Sequence, residues 1–142
     1  MIWVIDASVA LRWFLQEEVH QNAERVLKAL IDRPESFAVP ELFAFEVYAV
    51  LQRLHPSALE VFRQGLIPLL QGGVFRQPMT DKLAVMAKRY VDLGLSGYDA
   101  SYAALAQEMK GMWLTFDQKA HRAIEREKVS FWLGKAMPPH WS

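Results

Sequence analysis

Apolar residues along the chain occur in two patterns, short continuous runs and longer stretches with helical spacing. Residues 2–5, Ile-Trp-Val-Ile, form a continuous run of the kind expected for a strand buried on both faces. Similar short runs predict further strands at 37–39, 74–76, 112–115 and 129–131. Helical spacing between them predicts helices at about 7–15, 20–31, 40–54, 57–70, 80–93, 96–110 and 117–128.

This alternation of strands and helices is typical of βαβ units, in which a parallel sheet lies between layers of helices. We therefore predict a single domain over residues 1–142. Its expected fold is a three-layer α/β/α sandwich with a central parallel sheet of about five short strands. Because ligands of such sheets bind beyond the carboxyl ends of the strands, polar side chains that follow a strand are the first candidates for a functional site.

Composition narrows the class of protein. No apolar run approaches the ~18 residues of a membrane-spanning helix. Asp6 interrupts the first apolar run, so we expect no signal peptide. The absence of cysteine excludes disulfides, zinc–thiolate sites and cysteine nucleophiles, and it fits a cytoplasmic protein. The net charge of zero argues mildly against binding nucleic acid by overall charge, although a local basic patch or a bound metal can outweigh the sum.

Two acids directly follow predicted strands. Asp6 comes after the run 2–5, and Asp117 comes after Leu-Thr-Phe at 114–116. Either acid can be explained as the N-cap of the following helix, a common role of Asp at this junction. If both are functional, they meet at the carboxyl end of the sheet, with Ser8 and Thr115 as supporting polar groups.

Glu46 is predicted to lie on the apolar face of its helix. That face is formed, at helical spacing, by Leu42, Phe43, Val47, Val50 and Leu54. A carboxylate on such a face is costly unless it is paired or bound to a metal. The alternative is a glutamate at the edge of the face that reaches solvent.

Asp99 ends the segment Ser-Gly-Tyr-Asp at 96–99, which matches a helix capping box. It also shares a helix face with Tyr102, Ala103 and Ala106. Small side chains on that face allow close packing on the sheet. We therefore expect the Asp99 carboxylate at the rim of the sheet's end.

Together, Asp6, Glu46, Asp99 and Asp117 are expected to converge at one end of the sheet. Like charges a few Å apart raise each other's pKa and oppose folding. A hard divalent cation such as Mg²⁺ or Mn²⁺ relieves this repulsion, because it takes oxygen ligands and keeps several waters. A metal-bound water is suited to phosphodiester hydrolysis.

At these residues the sequence resembles the PIN-domain family, and most closely the VapC-type toxins of bacterial toxin–antitoxin pairs. The resemblance covers essentially the whole chain. It rests on Val-Ile-Asp-Ala-Ser at 4–8, Pro-Glu-Leu at 40–42 leading to Glu-Val at 46–47, the segment 95–106, and Leu-Thr-Phe-Asp at 114–117. Each motif is short, but the four in this order and at this length are specific.

The resemblance implies a ribonuclease that depends on Mg²⁺ or Mn²⁺, with Asp6, Glu46, Asp99 and Asp117 as catalytic and metal-binding residues. It also implies a homodimer and, for a toxin, a small antitoxin protein as partner. The sequence departs from the family pattern in two places: Tyr-Ala at 48–49, where the family often has Asn, and Gln-Lys at 118–119, where a basic residue often follows the last Asp directly. Neither departure removes a metal ligand, so they bear on substrate choice.

Basic residues near the predicted site are candidates to bind substrate phosphate. Arg12 follows Asp6 by less than two helical turns, and Lys119 and Arg122 follow Asp117 on its helix. His121 could also reach the acids along that helix. A solvated helix face is the simpler explanation of all four.

Three other functions are compatible with parts of this pattern. A PIN-fold nuclease can process RNA outside a toxin–antitoxin pair, and a PIN fold can serve binding alone. Phosphotransfer proteins of the receiver or haloacid-dehalogenase type also have an Asp after the first strand. The haloacid-dehalogenase type needs a second Asp two residues later, where Ser8 stands, and the receiver pattern is also missing.

Overall fold

The computed structural model describes residues 1–141 and contains a sheet of five parallel strands. The strands are β1 (Trp3–Ile5), β2 (Phe37–Pro40), β3 (Phe75–Gln77), β4 (Met112–Thr115) and β5 (Ser130–Trp132). Their order in the sheet is β3-β2-β1-β4-β5. The predicted α/β class with a parallel sheet of about five short strands is therefore confirmed.

Helices connect the strands and cover the sheet. They are α1 (Ala7–Phe14), α2 (Gln21–Asp32), α3 (Leu42–Leu54), α4 (Ala58–Val61), α5 (Ile67–Gln71), α6 (Asp81–Asp92), α7 (Gly97–Glu108) and α8 (Gln118–Ile124). From β1 to β3 the chain moves across the sheet in one direction, and from β3 to β5 it moves in the other. Right-handed crossovers therefore put the two sets of connecting helices on opposite faces of the sheet.

Helix α7 packs directly on β1, β2 and β4. All its residues from 100 to 106 are buried, including four alanines whose small side chains permit this close approach. Tyr102 on α7 and Trp113 on β4 are among the largest fully buried side chains. The core between this helix and the sheet thus lies directly below the carboxyl ends of β1 and β4.

The helix predicted at about 57–70, with Gly65 and Pro68 weakening its second half, is present, but it is not a regular α-helix throughout. The segment consists of α4, a π-helical turn (Phe62–Leu66) and α5. Pro68 has no N–H to donate to an earlier carbonyl, so the regular ladder cannot continue through it. Gly65 adds a tertiary reason, because its missing side chain leaves room for the ring of Phe14, which a Cβ at this position would meet at 2.7 Å.

Several boundaries also differ from the prediction. Pro40 belongs to β2, where it pairs with Gln77, instead of beginning the next helix. Strand β3 begins one residue later than expected. It is an edge strand of the sheet, and its Phe75 is exposed while the apolar Val74 before it is buried. The last helix ends at Ile124 and is followed by a 3₁₀ turn (Glu125–Glu127). Within residues 1–141, no helix combines the length and the apolar character that crossing a membrane requires.

Candidate active site

The sheet has its topological switch point between β1 and β4. From β1 the chain continues to β2 on one side, whereas β4 lies on the other side. In sheets of this kind ligands bind in the crevice outside the carboxyl ends of the strands at the switch point. The register pairs Ile5 with Leu114, which brings the next residues, Asp6 and Thr115, together at this crevice.

Asp6 lies at the bottom of the crevice and is only 5% exposed. Its Oδ1 accepts hydrogen bonds from the Ser8 N–H (3.0 Å) and the Ser8 hydroxyl (2.5 Å). Its Oδ2 accepts hydrogen bonds from the Trp113 indole N–H (3.0 Å) and the Thr115 hydroxyl (2.6 Å). Burial raises the pKa of Asp6 from 3.8 to about 6, although the three side-chain hydrogen bonds act in the opposite direction. Asp6 is therefore both the N-cap of α1 and a buried, fully hydrogen-bonded carboxyl group.

Ser8 and Thr115, predicted as supporting residues, contact Asp6 and also fix the backbone after β4. The Ser8 hydroxyl oxygen accepts the N–H of Phe116 at 3.0 Å. The Thr115 hydroxyl oxygen accepts the N–H of Asp117 at 3.0 Å. These two hydroxyl groups thus connect the position of Asp6 to that of Asp117.

Glu46 is half-buried on α3, next to a buried face formed by Phe43, Val47 and Leu51. The predicted apolar face is wrong at Leu54, which is 57% exposed. The sequence indicates that Glu46 needs a partner. This partner lies on α7, where the Tyr102 hydroxyl donates to Glu46 Oε1 at 2.6 Å. Burial raises the pKa of Glu46, and the negative charges of Asp6 and Asp99 raise it further.

Asp99 and Asp117 line a cleft of about 230 Å³ at the rim of the crevice. Asp99 is half-buried in the first turn of α7, and its N–H donates to the Ser96 hydroxyl oxygen at 3.1 Å. Burial raises the pKa of Asp99, and so does the negative charge of Asp117. Asp117 is exposed and is the N-cap of α8, because its Oδ1 accepts the N–H of Ala120 at 3.0 Å.

The four acids influence one another and have no cationic partner. Asp99 raises the pKa of Asp6, Asp6 and Asp99 raise that of Glu46, and Asp117 raises that of Asp99. Within residues 1–141, the ion pairs are Lys82–Glu108, Lys88–Asp92 and Arg89–Glu127, and none includes any of the four. Among residues 1–141, the four acids are therefore not neutralised by direct ion pairs.

Carboxylate oxygens at this crevice are the ligand type that Mg²⁺ and Mn²⁺ prefer. Across residues 1–141, however, no three His, Asp or Glu side chains lie close enough together to hold an ion as a group. Mg²⁺ is commonly held by one or two carboxylates together with waters and substrate phosphate. The donor set therefore fits a cation of this class, with part of its coordination left to water or substrate.

The predicted basic residues have different surroundings. The Arg12 guanidinium lies over the Phe116 ring, 4.2 Å from its centroid, and Lys119 lines the cleft of Asp99 and Asp117. Arg122 is exposed on α8. His121 contacts Ser130 (Nδ1 to Oγ, 2.8 Å) on β5 instead of an acid.

Two further residues of the site, Trp113 and Tyr102, are not among those predicted from the sequence. Each looks like an ordinary core aromatic residue, yet each donates a hydrogen bond to one of the acids. The sequence spacing indicates that both side chains could lie near the site. Trp113 lies two residues before Thr115, on the same side of a strand, and Tyr102 lies three residues after Asp99, on the same face of a helix.

Solved structures share this fold at low sequence identity. FitAcB from Neisseria gonorrhoeae is 15% identical, with a TM-score of 0.70 over 92% of this chain and 96% of that one. A toxin–antitoxin complex from Klebsiella pneumoniae is 16% identical, with a TM-score of 0.63 over 83% and 88%. VapC20 from Mycobacterium tuberculosis, a sarcin–ricin loop cleaving toxin, is 15% identical, with a TM-score of 0.60 over 85% and 94%. At these identities the similarity is evidence of a common fold.

Sequence comparison gives the family directly. No curated protein sequence matches the chain significantly. The family model described as the PIN domain, in contrast, matches residues 3–126, which include β1 to β4 and all four acids. The resemblance found in the sequence is thereby confirmed, and the chain belongs to the PIN-domain family.

Proposed function

We propose that this protein is a divalent-metal-dependent endoribonuclease that hydrolyses phosphodiester bonds of RNA. One observation carries the proposal: the charge of Asp99 acts on Asp6, those of Asp6 and Asp99 act on Glu46, and that of Asp117 acts on Asp99, while none of the four acids forms an ion pair with a basic residue in 1–141. Such a cluster is unfavourable by itself, but it can bind a hard cation and, through it, a phosphate. Membership of the PIN-domain family supports the same activity.

The four carboxylates are the groups that would hold Mg²⁺ or Mn²⁺. When bound, the ion lowers the pKa of a coordinated water and stabilises negative charge on the attacked phosphate. Hydrogen bonds from Ser8, Thr115 and Trp113 fix the Asp6 carboxylate before substrate arrives. This preorganisation reduces the cost of assembling the site during the reaction.

The cleft beside Asp99 and Asp117 is where we place the scissile phosphate. Asp99 lines this cleft with its carboxylate half-buried, and we assign it to the cation that would hold the phosphate. Lys119 lines the same cleft and supplies a positive charge for a phosphate oxygen. Arg12 and Arg122 are proposed for neighbouring phosphates of the RNA chain.

The proposal extends to the toxin of a VapBC-type toxin–antitoxin pair. Relatives of the same fold include a toxin–antitoxin complex and a toxin that cleaves the sarcin–ricin loop. A small antitoxin protein is then the expected partner, the cytoplasm is the expected location, and a homodimer is the expected assembly. Phe45 (75% exposed) and Tyr98 (68% exposed) offer apolar surface for such protein contacts.

Cleavage of end-labelled RNA tests the activity. Wild type is expected to cut single-stranded RNA or a sarcin–ricin loop fragment with Mg²⁺ or Mn²⁺, and to lose this activity in EDTA. Asp6→Asn and Asp99→Asn are expected to be inactive under all conditions, while folding as judged by circular dichroism. Activity that survives the chelator or either substitution would show that the mechanism is wrong.

A second pair of measurements tests the biological role. Expression of the chain is expected to arrest growth of a bacterial host, and co-expression of the neighbouring upstream reading frame is expected to restore it. RNA cleavage without growth arrest would instead indicate an RNA-processing nuclease. If calorimetry detects no Mn²⁺ binding and no RNA is cut, the chain is a PIN-fold binding module.

A further inference from the structure

Trp113 and Tyr102 lie side by side in the core directly below the acids. Their rings are stacked, with centroids 6.0 Å apart and planes 15° apart. Trp113 is 0% exposed and Tyr102 is 1% exposed. Each ring carries one polar hydrogen, and each hydrogen points to an acid: the Trp113 indole N–H to Asp6 Oδ2 at 3.0 Å, and the Tyr102 hydroxyl to Glu46 Oε1 at 2.6 Å.

The donors around Asp6 fall into two kinds. An ionised carboxylate has about four lone-pair directions, and Asp6 accepts four hydrogen bonds. The Ser8 backbone N–H and the Trp113 indole N–H are fixed, because one belongs to α1 and the other to a ring enclosed in the core. The hydrogens of the Ser8 and Thr115 hydroxyls can rotate, although the two oxygens are held by the N–H groups of Phe116 and Asp117. Each carboxylate oxygen therefore has one fixed donor and one donor that a cation can displace.

The difference between fixed and displaceable donors gives Trp113 a specific role. When a cation approaches, the two hydroxyl hydrogens can rotate and leave a lone pair of each carboxylate oxygen free. The two fixed N–H groups meanwhile keep the plane of the Asp6 carboxylate unchanged. Trp113 is the fixed donor on Oδ2. A phenylalanine at this position would fill most of the same space but would leave Oδ2 with the Thr115 hydroxyl only.

Tyr102 does the corresponding work for Glu46. Glutamate has a longer side chain than aspartate, and Glu46 is only half-buried, so its carboxylate needs a contact that selects one position. The Tyr102 hydroxyl supplies it, and the Tyr102 ring is itself held by stacking on Trp113. The two acids, from β1 and α3, are thus oriented by one rigid aromatic pair.

Resting on the proposed function, we infer that Trp113 and Tyr102 act together as positioning residues that hold Asp6 and Glu46 in the orientation a divalent cation requires. Neither side chain contacts solvent or the cleft, so neither is a catalytic residue. Packing alone does not explain their chemistry, because two phenylalanine rings could fill the same core without pointing a donor at each acid.

The experiment removes the two polar hydrogens one at a time from the full chain. Tyr102→Phe deletes a single oxygen, whereas Trp113→Phe deletes the indole N–H together with part of a fully buried ring. Tyr90→Phe is the matched control for the first, because the Tyr90 hydroxyl is bonded to Gln107 Oε1 at 2.6 Å and the ring is equally buried. Trp13→Phe is the control for the second, because the Trp13 indole donates to the Ala23 carbonyl oxygen at 2.8 Å and contacts none of the acids.

Three quantities are measured for each variant: Mn²⁺ affinity by calorimetry on the metal-free protein, kcat and KM for RNA, and the melting temperature. Loss of an outer-shell hydrogen bond typically weakens metal affinity or activity about 10- to 100-fold. We expect a loss of this size in Mn²⁺ affinity and kcat for Tyr102→Phe and Trp113→Phe, with KM unchanged. Tyr90→Phe and Trp13→Phe are expected to keep wild-type affinity and kcat even where their melting temperatures fall.

The outcomes separate this inference from the proposed function. If wild type binds Mn²⁺ and cuts RNA while Tyr102→Phe and Trp113→Phe behave like their controls, the inference is overturned and the proposed function stands. If wild type does neither, the proposed function fails and the inference fails with it. Should Trp113→Phe not fold, Tyr102→Phe decides the question, because it leaves the ring and its packing in place.

Discussion

Ser8 and Phe116, which are 108 positions apart in sequence, are joined by a hydrogen bond of 3.0 Å from the Phe116 N–H to the Ser8 hydroxyl oxygen. The same hydroxyl donates to Asp6 Oδ1 at 2.5 Å. One small side chain therefore links the carboxyl end of β1 to that of β4, across the switch point where the acids meet.

Ser8→Ala is expected to lower the free energy of unfolding by about 1–3 kcal/mol, the usual cost of leaving a partly buried polar group without its partner. Urea unfolding of the metal-free protein measures this loss. Ser57→Ala is the control, because Ser57 is exposed and caps no helix through its side chain, so its effect should stay within about 0.5 kcal/mol. Equal effects in the two variants would show that the Ser8 link contributes nothing to stability.

The raised pKa of Asp6 makes stability depend on pH in a defined direction. Burial raises this pKa from 3.8 to about 6, so between these two pH values the folded protein keeps a proton that the unfolded chain has lost. The contribution of Asp6 to stability is therefore full below about pH 4, falls as pH rises to about 6, and is constant above that. Its upper limit is about 3 kcal/mol, at about 1.4 kcal/mol per pKa unit.

Urea unfolding of wild type and Asp6→Asn in EDTA, from pH 4 to pH 8, isolates this contribution. The free energy of wild type minus that of the variant is expected to decrease up to about pH 6 and then to level off. Taking the difference removes the titration of acids that do not interact with Asp6, whereas Glu46 and Asp99, whose charges are coupled to that of Asp6, still contribute. A difference that does not change with pH would contradict the raised pKa.

Metal binding should appear as thermal stabilisation that depends on Asp99. A ligand at 100 times its Kd adds about 2.7 kcal/mol to stability, and wild type is expected to show such a gain with Mn²⁺ near neutral pH. Asp99→Asn is expected to lose most of it, because Asp99 is one of the two acids that line the cleft. Asp32→Asn, at the exposed end of α2, should keep the full gain. Retention of the gain by Asp99→Asn would place the metal elsewhere.

The hydrophobic pattern predicts the sheet and its ligand-binding end for a physical reason. Strands buried on both faces must be continuous apolar runs, and the runs at 2–5 and 112–115 are the two that meet at the switch point. Asp6 directly follows the first run and Asp117 lies two residues after the second, so their approach could be expected from sequence. The roles of all four acids in metal binding remain predictions.

Prediction was incomplete where contacts between distant segments contribute to the local structure. The ring of Phe14 packs where a Cβ of Gly65 would lie, within the π-helical turn after α4, and no local pattern indicates this contact. Similarly, Tyr102 and Trp113 are aromatic residues within apolar surroundings. Only the packing of α7 on β4 turns their polar hydrogens towards Glu46 and Asp6.

Gly111 allows β4 to lie close to β1, because it has no side chain. Its replacement should therefore displace β4 and disturb the site at the carboxyl end of that strand. A Cβ at this position would lie 2.0 Å from the backbone oxygen of Ile2, and backbone atoms cannot yield as a flexible side chain can. We expect Gly111→Ala to cost about 3 kcal/mol or more in urea unfolding and to weaken Mn²⁺ binding, because a displaced β4 carries Thr115 away from Asp6. Gly97→Ala provides the contrast: an added Cβ meets no atom within 4 Å in the first turn of α7, so a gain of about 0.4–1 kcal/mol is expected. If both variants unfold at the same urea concentration, close approach at Gly111 does not constrain the sheet.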